Sequence, residues 1–185
     1  MKVPRFKRSA GVLLPVSGLP SAYGIGCFSR DVDIFVDMAA DMGFSWWQVL
    51  PITVLGAGNS PYSGCSTHAG NFLYINPYGL VEDGLLTAQE AEDAKYRGQP
   101  YKVDYAFARD NMTRLLHTAF ERINPEIRKE IDEFAREESD WVEDYALFMA
   151  LKDAHNGACW LEWEEPLRRR EPAALAAARQ QYADD

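Results

Sequence analysis

The sequence predicts an α/β protein, the front of a larger α/β barrel, and three observations carry that reading. Gly11 to Val16 (GVLLPV) and Trp46 to Leu50 (WWQVL) are short apolar runs of the kind that forms strands buried on both faces. One amphipathic helical segment lies between them, so the strand–helix–strand order over about forty residues describes a right-handed crossover between parallel strands. Two such strands cannot satisfy their outer edges or bury themselves under one crossover helix. The sheet is therefore missing partners. Either other strands come from a longer chain or a partner molecule, or the helical half covers the pair in an unusual way; the first is the reading adopted.

Each element has its own justification. Residues 17 to 28, SGLPSAYGIGCF, carry three glycines and a proline and read as a connection. Ser29 is a good N-cap for the crossover helix, Asp31 and Asp33 suit its first turns, and Gly43 stops it. Val32, Phe35, Val36, Ala39 and Met42 share one face, while Asp33, Asp37 and Asp41 form a solvated acidic stripe. The second strand runs into a polar loop from Pro51 to Asn71, and FLYIN after it reads as a brief extended piece. From there the signals are helical. Thr87 with Glu90 makes a capping box for a helix to about Arg97. Asp104 caps another, with Phe107, Met112, Leu115, Leu116, Ala119, Phe120 and Ile123 inward, and Asn124-Pro125 breaks it. Ile127, Ile131 and Phe134 mark a third, and Ser139 caps a fourth that Gly157 closes. Pro166 to Tyr182 reads as one charged, alanine-rich helix, and there is no internal repeat.

Composition narrows the function. With 19 basic against 28 acidic residues the formal net charge is −9, which works against binding nucleic acid or anionic membrane. No apolar stretch approaches the ~20 residues needed to span a bilayer. The opening MKVPRFKRSAGVLLPVSG has basic residues before an apolar run, but that run is short and Pro15 interrupts it, so a cytoplasmic protein is expected. Cys27, Cys65 and Cys159 are odd in number and widely spaced, as reduced thiols are.

The loop from Pro51 to Asn71 follows the carboxyl end of a parallel strand, where α/β folds build sites. Within it NSPYSGCSTHAGN offers neutral donors and acceptors from Ser60, Ser63, Ser66, Thr67 and Asn71, and a flat ring from Tyr62. Sugar hydroxyls want such neutral hydrogen bonds, and a pyranose face wants an aromatic plane. A polar turn bonded to itself is the competing account. Cys65-x-x-His68 with His155-x-x-x-Cys159 can be drawn as a zinc site. A polar loop histidine and a helix-terminal histidine explain these residues with less, and no metal or cofactor is assigned. A Cys65–His68 nucleophilic dyad lacks an orienting third group. Tyr23-Gly24-Ile25-Gly26 has neither the third glycine nor the lysine of a nucleotide motif and reads as a tight turn. The carboxylates Glu82-Asp83 and Glu162-x-Glu164-Glu165 have no reason to project over the loop. Trp160-x-x-Trp163 is either core or a sugar platform.

Taken in order, RSAGVLLPVSGLPSAYGIG, WWQVLPI, NSPYSGCSTHAGN with the later DGLL, and EDYALFMALK resemble the N-terminal part of the 4-α-glucanotransferases (amylomaltase or disproportionating enzyme, glycoside hydrolase family 77). The similarity runs to about Arg170. It implies a (β/α)₈ barrel with helical insertions, residues 1–78 starting the barrel with two strands and the substrate loop and 79–185 forming a helical insertion. It also implies that Tyr62 lies beneath the sugar next to the cleaved bond, that Ser60 lies near the bound glucan, and that α-1,4-glucan segments pass between maltooligosaccharides by a retaining double displacement. Two positions depart from the family: His68 stands where an aromatic is usual and Phe72 where proline is frequent. None of the 185 residues matches the family's aspartate nucleophile, glutamate acid/base or stabilising aspartate, which come from later strands. The resemblance thus implies an N-terminal fragment, inactive alone, that requires the missing barrel portion for a closed fold. A non-catalytic glucan-binding or scaffolding module is the alternative, and such a module should have closed its sheet.

Overall fold

The structure, a computed structural model, describes residues 8–99 and 101–182, so the opening Met1–Lys7, which enters the expectation about a leader, lies outside the described residues. By packing the chain divides into two units, residues 1–124 and 125–185. No helix among the described residues is long and apolar enough to cross a membrane.

In the first unit, β1 (Gly11–Leu13) and β2 (Trp46–Gln48) pair in parallel, Gly11 opposite Trp46 and Leu13 opposite Gln48. Ser45 N–H to the Ala10 carbonyl (2.9 Å) and Leu14 N–H to the Gln48 carbonyl (3.1 Å) extend the ladder by one bond at each end. Pro15, which has no N–H to offer, follows directly. The strands joined by a crossover helix are as expected, but their burial is not. Val12 and Trp47 are half-buried on one face, where Trp47 meets Phe35 edge-on at 5.2 Å and its Nε1–H donates to the Leu14 carbonyl at 2.8 Å. Leu13 and Trp46, at 55% and 64% exposed, show that the strands are not covered on both faces by the described residues.

Helix α1 (Arg30–Asp41) begins where Ser29 Oγ accepts the Asp31 amide at 3.2 Å and gives way to Gly43 at φ +83°. Its buried face is narrower than expected: Ala39 is buried and Val32 and Phe35 pack on the core, but Val36 and Met42 are exposed.

The supposed connection 17–28 is core. Val16, Leu19, Tyr23, Ile25 and Cys27 are all buried, and Val16, Leu19 and Ile25 cluster with Leu55, Leu73, Tyr74, Ala108 and Met112. The segment doubles back so closely that Gly26 N–H donates to the Ser17 carbonyl at 3.1 Å and a Cβ on Gly26 would sit 2.0 Å from the Val16 carbonyl oxygen. Only glycine fits there.

FLYIN is likewise not extended. Asn71 Oδ1 accepts the Leu73 amide at 3.1 Å and winds Phe72–Tyr74 into a 3₁₀ turn that buries Leu73 and Tyr74. Asn76 then caps α2 (Pro77–Glu82), with proline at the first helical position. The capping box of α3 (Ala88–Asp93) is formed on both sides, Thr87 Oγ1 accepting the Glu90 amide and Glu90 Oε2 accepting the Thr87 amide. Arg122 grips the same Glu90 carboxylate through two bonds of 2.7 Å, and these contacts, the Arg122 bond first, hold Glu90 down to about 2. α3 ends well before Arg97, since the Tyr96 ring packs on Phe107 at 4.9 Å instead of continuing the helix. Asp104 caps α4 (Tyr105–Phe120) by accepting the Phe107 amide at 3.0 Å. Its buried line is Ala108, Met112, Leu115 and Ala119, with Phe120 largely exposed.

The second unit comprises α5 (Pro125–Glu137), α6 (Val142–Ala154), α7 (Glu165–Arg168) and α8 (Pro172–Gln181). Trp141, not Ser139, takes the cap position of α6, because residues 138–141 form a turn that delays the helix start. The single terminal helix expected from Pro166 to Tyr182 is two helices: Arg170 turns left-handed at φ +54° and Pro172 starts α8 afresh. Leu147, Leu151, Trp163 and Ala178 make the core, and Asp144 on α6 receives both Arg170 and Arg179 at 2.6 and 3.4 Å.

His155, just after α6, stacks on Trp163 at 5.1 Å. Its Nδ1 is 2.7 Å from the Leu151 carbonyl and its Nε2 3.0 Å from Glu164. The carbonyl, then the carboxylate, raise the imidazole pKa, while Glu164 is lowered by its own backbone amide and by His155. A raised histidine stabilises the fold fully below its unfolded value and loses that contribution as pH rises through the folded one; a lowered glutamate contributes above its unfolded value. The pair is therefore fully engaged between about pH 4.5 and 6.5. The melting temperature should fall more from pH 5.5 to pH 8.5 in the wild type than in Glu164→Gln, and equal falls in thermal melts would refute the pairing.

Candidate functional site

The loop leaving β2 is clamped at its base. Asn71 N–H donates to the Ile52 carbonyl at 2.8 Å, Val54 N–H to the Ala69 carbonyl at 3.3 Å, and Thr53 and Gly70 pair antiparallel between them. Val54, Leu55 and Ala69 are buried beneath the clamp. Ends held together and packed side chains inside make this a compact Ω-type loop rather than a loose excursion. Sequence reasoning missed these anchors, although an apolar pair before and an alanine after a polar stretch were available as the signal.

At the tip, residues 57–59 form a 3₁₀ turn in which Gly58 and Asn59 are left-handed, at φ +66° and +59°. Gly56 N–H donates to the Ser60 carbonyl at 3.0 Å and Asn59 N–H returns to the Gly56 carbonyl at 3.1 Å. Tyr62 N–H donates to Ser60 Oγ at 3.3 Å, a serine turn of the i to i+2 kind. Ser60 is half-buried beside it, while the Tyr62 ring is 75% exposed. An amphipathic ring so exposed on a braced backbone is available to a ligand.

The other hydroxyls and amides divide. Ser66 Oγ accepts two amides, His68 at 3.1 Å and Ala69 at 3.0 Å, and Ser63 Oγ lies 3.5 Å from the Ala57 and Ser60 carbonyls. For these two, as for Ser60 under the Tyr62 amide, the self-bonded turn describes the hydrogen bonds they make. Asn71, counted from sequence among the donors and acceptors, is buried and caps the following turn. Thr67, Cys65 and His68 lie at the surface.

Several of the remaining candidates have structural partners. Both nitrogens of His155 are occupied in the second unit, and the described residues hold no group of three or more His, Cys, Asp or Glu able to bind a metal. Cys27 is buried, and burial pushes its thiol pKa up, away from nucleophilic reactivity. Glu164 bonds His155 and Glu165 bonds Arg169 at 2.8 Å. Trp163 is core and Trp160 about half exposed. Tyr23 and Ile25 are buried, so the YGIG stretch is packing rather than a phosphate cradle.

Comparison with known proteins gives a consistent result. A family model described as 4-alpha-glucanotransferase matches residues 14–185. A 4-alpha-glucanotransferase of Aquifex aeolicus is 42% identical over 171 residues, 91% of this chain and 34% of that protein. One from Thermus thermophilus is 36% identical over 185 residues, 100% of this chain and 36% of the relative. The solved amylomaltase from Streptococcus agalactiae in complex with acarbose superposes with a TM-score of 0.90 at 32% identity, over 96% of this chain and 36% of that one. The chain thus spans about a third of the length of the curated relatives it matches.

The exposure of Tyr62 has a direct consequence for stability. Replacing a side chain so little buried shifts unfolding free energy by less than about 0.5 kcal/mol. Tyr62→Ala should therefore leave the denaturant midpoint essentially unchanged, and a marked drop would make Tyr62 a packing residue.

Proposed function

This chain belongs to the 4-alpha-glucanotransferase family, and on that premise we propose that the protein it represents moves α-1,4-glucan segments between maltooligosaccharides by a retaining double displacement. The loop from Pro51 to Asn71 forms part of the glucan wall. The observation that carries this reading is the Tyr62 ring, exposed on a loop whose base and tip are both braced by hydrogen bonds. Such a ring offers the C–H face of a pyranose a flat apolar surface, and its phenol adds one neutral hydrogen bond. Ser60, whose Oγ accepts the Tyr62 amide, keeps its own hydroxyl hydrogen for a sugar oxygen nearby. The acarbose in the Streptococcus agalactiae amylomaltase, superposable on 96% of this chain, supports a saccharide as the ligand class.

The same reading makes residues 1–78 the start of a (β/α)₈ barrel and 79–185 a helical insertion, with α2, α3 and α4 contributing to the unit that holds the strands. In a barrel the side chains of one strand face fill the interior and those of the other meet the helices. Val12 and Trp47 face α1, so Leu13 and Trp46 fall on the interior side, where the remaining barrel portion would cover them. That open face supports a piece of a barrel over a self-standing glucan-binding or scaffolding module. The reaction needs no cofactor or metal, and its setting is the cytoplasm.

Retention at the anomeric carbon takes a carboxylate nucleophile and a carboxylic acid about 5 Å apart across one glycosidic bond. The chain has no residue matching either. Residues 1–185 alone should therefore release no glucose and form no longer oligosaccharide from maltotriose, and turnover that persists after removal of host enzymes would overturn this part of the proposal. In the full-length protein Tyr62→Phe should cost at most roughly three- to tenfold in transfer, the worth of one neutral hydrogen bond. Tyr62→Ala should cost on the order of a hundredfold, because the reacting sugar loses the surface that positions it. Turnover per folded molecule decides, and near-normal turnover in Tyr62→Ala would remove the loop from the glucan wall.

A further inference from the structure

We infer that Gly56 is a positioning residue for Tyr62, acting through a backbone contact with Ser63 that no side chain can replace; the inference rests on the reading of Tyr62 as a glucan contact. A Cβ built on Gly56 would lie 1.8 Å from the Ser63 carbonyl oxygen, 2.3 Å from its carbonyl carbon and 2.5 Å from its Oγ. The backbone of Gly56 is at φ −93°, open to any L-residue, so glycine is required by the approach of another strand of the loop and not by local conformation. The two nearest atoms are backbone, which cannot swing aside as a flexible side chain would. One residue further on the approach repeats in the opposite sense, since a Cβ on Gly64 would lie 2.5 Å from the Val54 carbonyl oxygen. The outgoing limb, 54–56, and the returning limb, 63–64, are therefore laid backbone on backbone.

Tyr62 is the residue immediately before this contact. Its amide hangs on Ser60 Oγ, and the Ser60 carbonyl accepts the Gly56 amide at 3.0 Å. Gly56 thus touches both sides of the tyrosine, Ser60 through a hydrogen bond and Ser63 through van der Waals contact. A methyl group at 56 has to drive Ser63 away by more than an ångström to reach ordinary contact, and Tyr62 moves with it. Because the ring is 75% exposed it has few neighbours to hold it in place, so its aim is set by its backbone. A control lies outside the loop: Gly79 in α2 is not left-handed, and a Cβ there meets nothing within 4 Å.

The test is a double-mutant cycle in the full-length protein, read as kcat and KM for maltotriose disproportionation per folded molecule. Gly56→Ala should lower kcat/KM by roughly ten- to a hundredfold, the range for an ångström-scale misplacement, with Gly79→Ala close to wild type. In a Tyr62→Ala background Gly56→Ala should cost little more, because the ring it aims is gone. Equal losses in the two backgrounds, or wild-type kinetics in Gly56→Ala, overturn the inference while leaving Tyr62 as a glucan contact. No loss in Tyr62→Ala alone overturns that underlying reading and the inference with it. If Gly56→Ala does not fold, Gly64→Ala carries the same cycle at the neighbouring contact. Failure of both to fold would assign the contact to the stability of the unit and refute a positioning role.

Discussion

A methyl group on Gly26 would stand 2.0 Å from the Val16 carbonyl oxygen, and from that approach much of the first unit follows. Folding back at this point turns Leu19, Tyr23, Ile25 and Cys27 inward, each worth on the order of 1.5–3 kcal/mol for the larger apolar side chains when fully buried. It also sets out the backbone of the segment as a socket. The Ala22 carbonyl accepts the Tyr96 amide at 2.7 Å, the Gly24 carbonyl accepts the Asp104 amide at 2.9 Å, and the Phe28 amide donates to the Tyr74 carbonyl at 2.9 Å. Three later stretches of chain are thereby fixed to one early one. The 3₁₀ turn under the polar loop is one of them, which connects the position of the loop's far end to a glycine more than forty residues earlier.

What could be read from sequence was whatever a few neighbouring residues decide among themselves. Ser29, Thr87 with Glu90, and Asp104 cap helices because each side chain reaches an amide two or three residues on, and a window of four letters contains the whole interaction. Ser139 marks the edge of that method: its letters suit a cap, but a turn holds the chain until Trp141 and the helix starts late. The 17–28 segment was illegible for the opposite reason. Its glycines and proline describe a connection locally, and nothing nearby reveals that Met112 and Ala108 of a distant helix will pack on it. FLYIN failed similarly, its aromatic and β-branched residues favouring a strand while Asn71 wound them into a turn.

The candidate site was legible in place and only partly in detail. A polar loop after the carboxyl end of a parallel strand announces itself by order alone. Which hydrogen bonds its hydroxyls make within the loop does not, since only the turn geometry shows that Ser60 and Ser66 accept backbone amides while Ser63 points at two carbonyls. The clamp between Ile52 and Asn71 braces the loop in the way the proposed glucan wall requires, because a wall that moved would lose in ordering entropy what it gained in contact.

Gly58 and Asn59 carry a lesson for reading related sequences. Two successive left-handed residues admit few side chains, glycine and asparagine foremost, whatever the loop is for. The run GAGNSPY therefore mixes two vocabularies, one spelling a backbone and the other the surface proposed to meet the glucan. A homologue that did not bind glucan could keep Gly58 and Asn59 unchanged to hold the turn. Retention of those two would testify to shape alone. Tyr62, whose exposed ring packs little against the turn, is the position at which inheritance of the proposed binding surface should be judged.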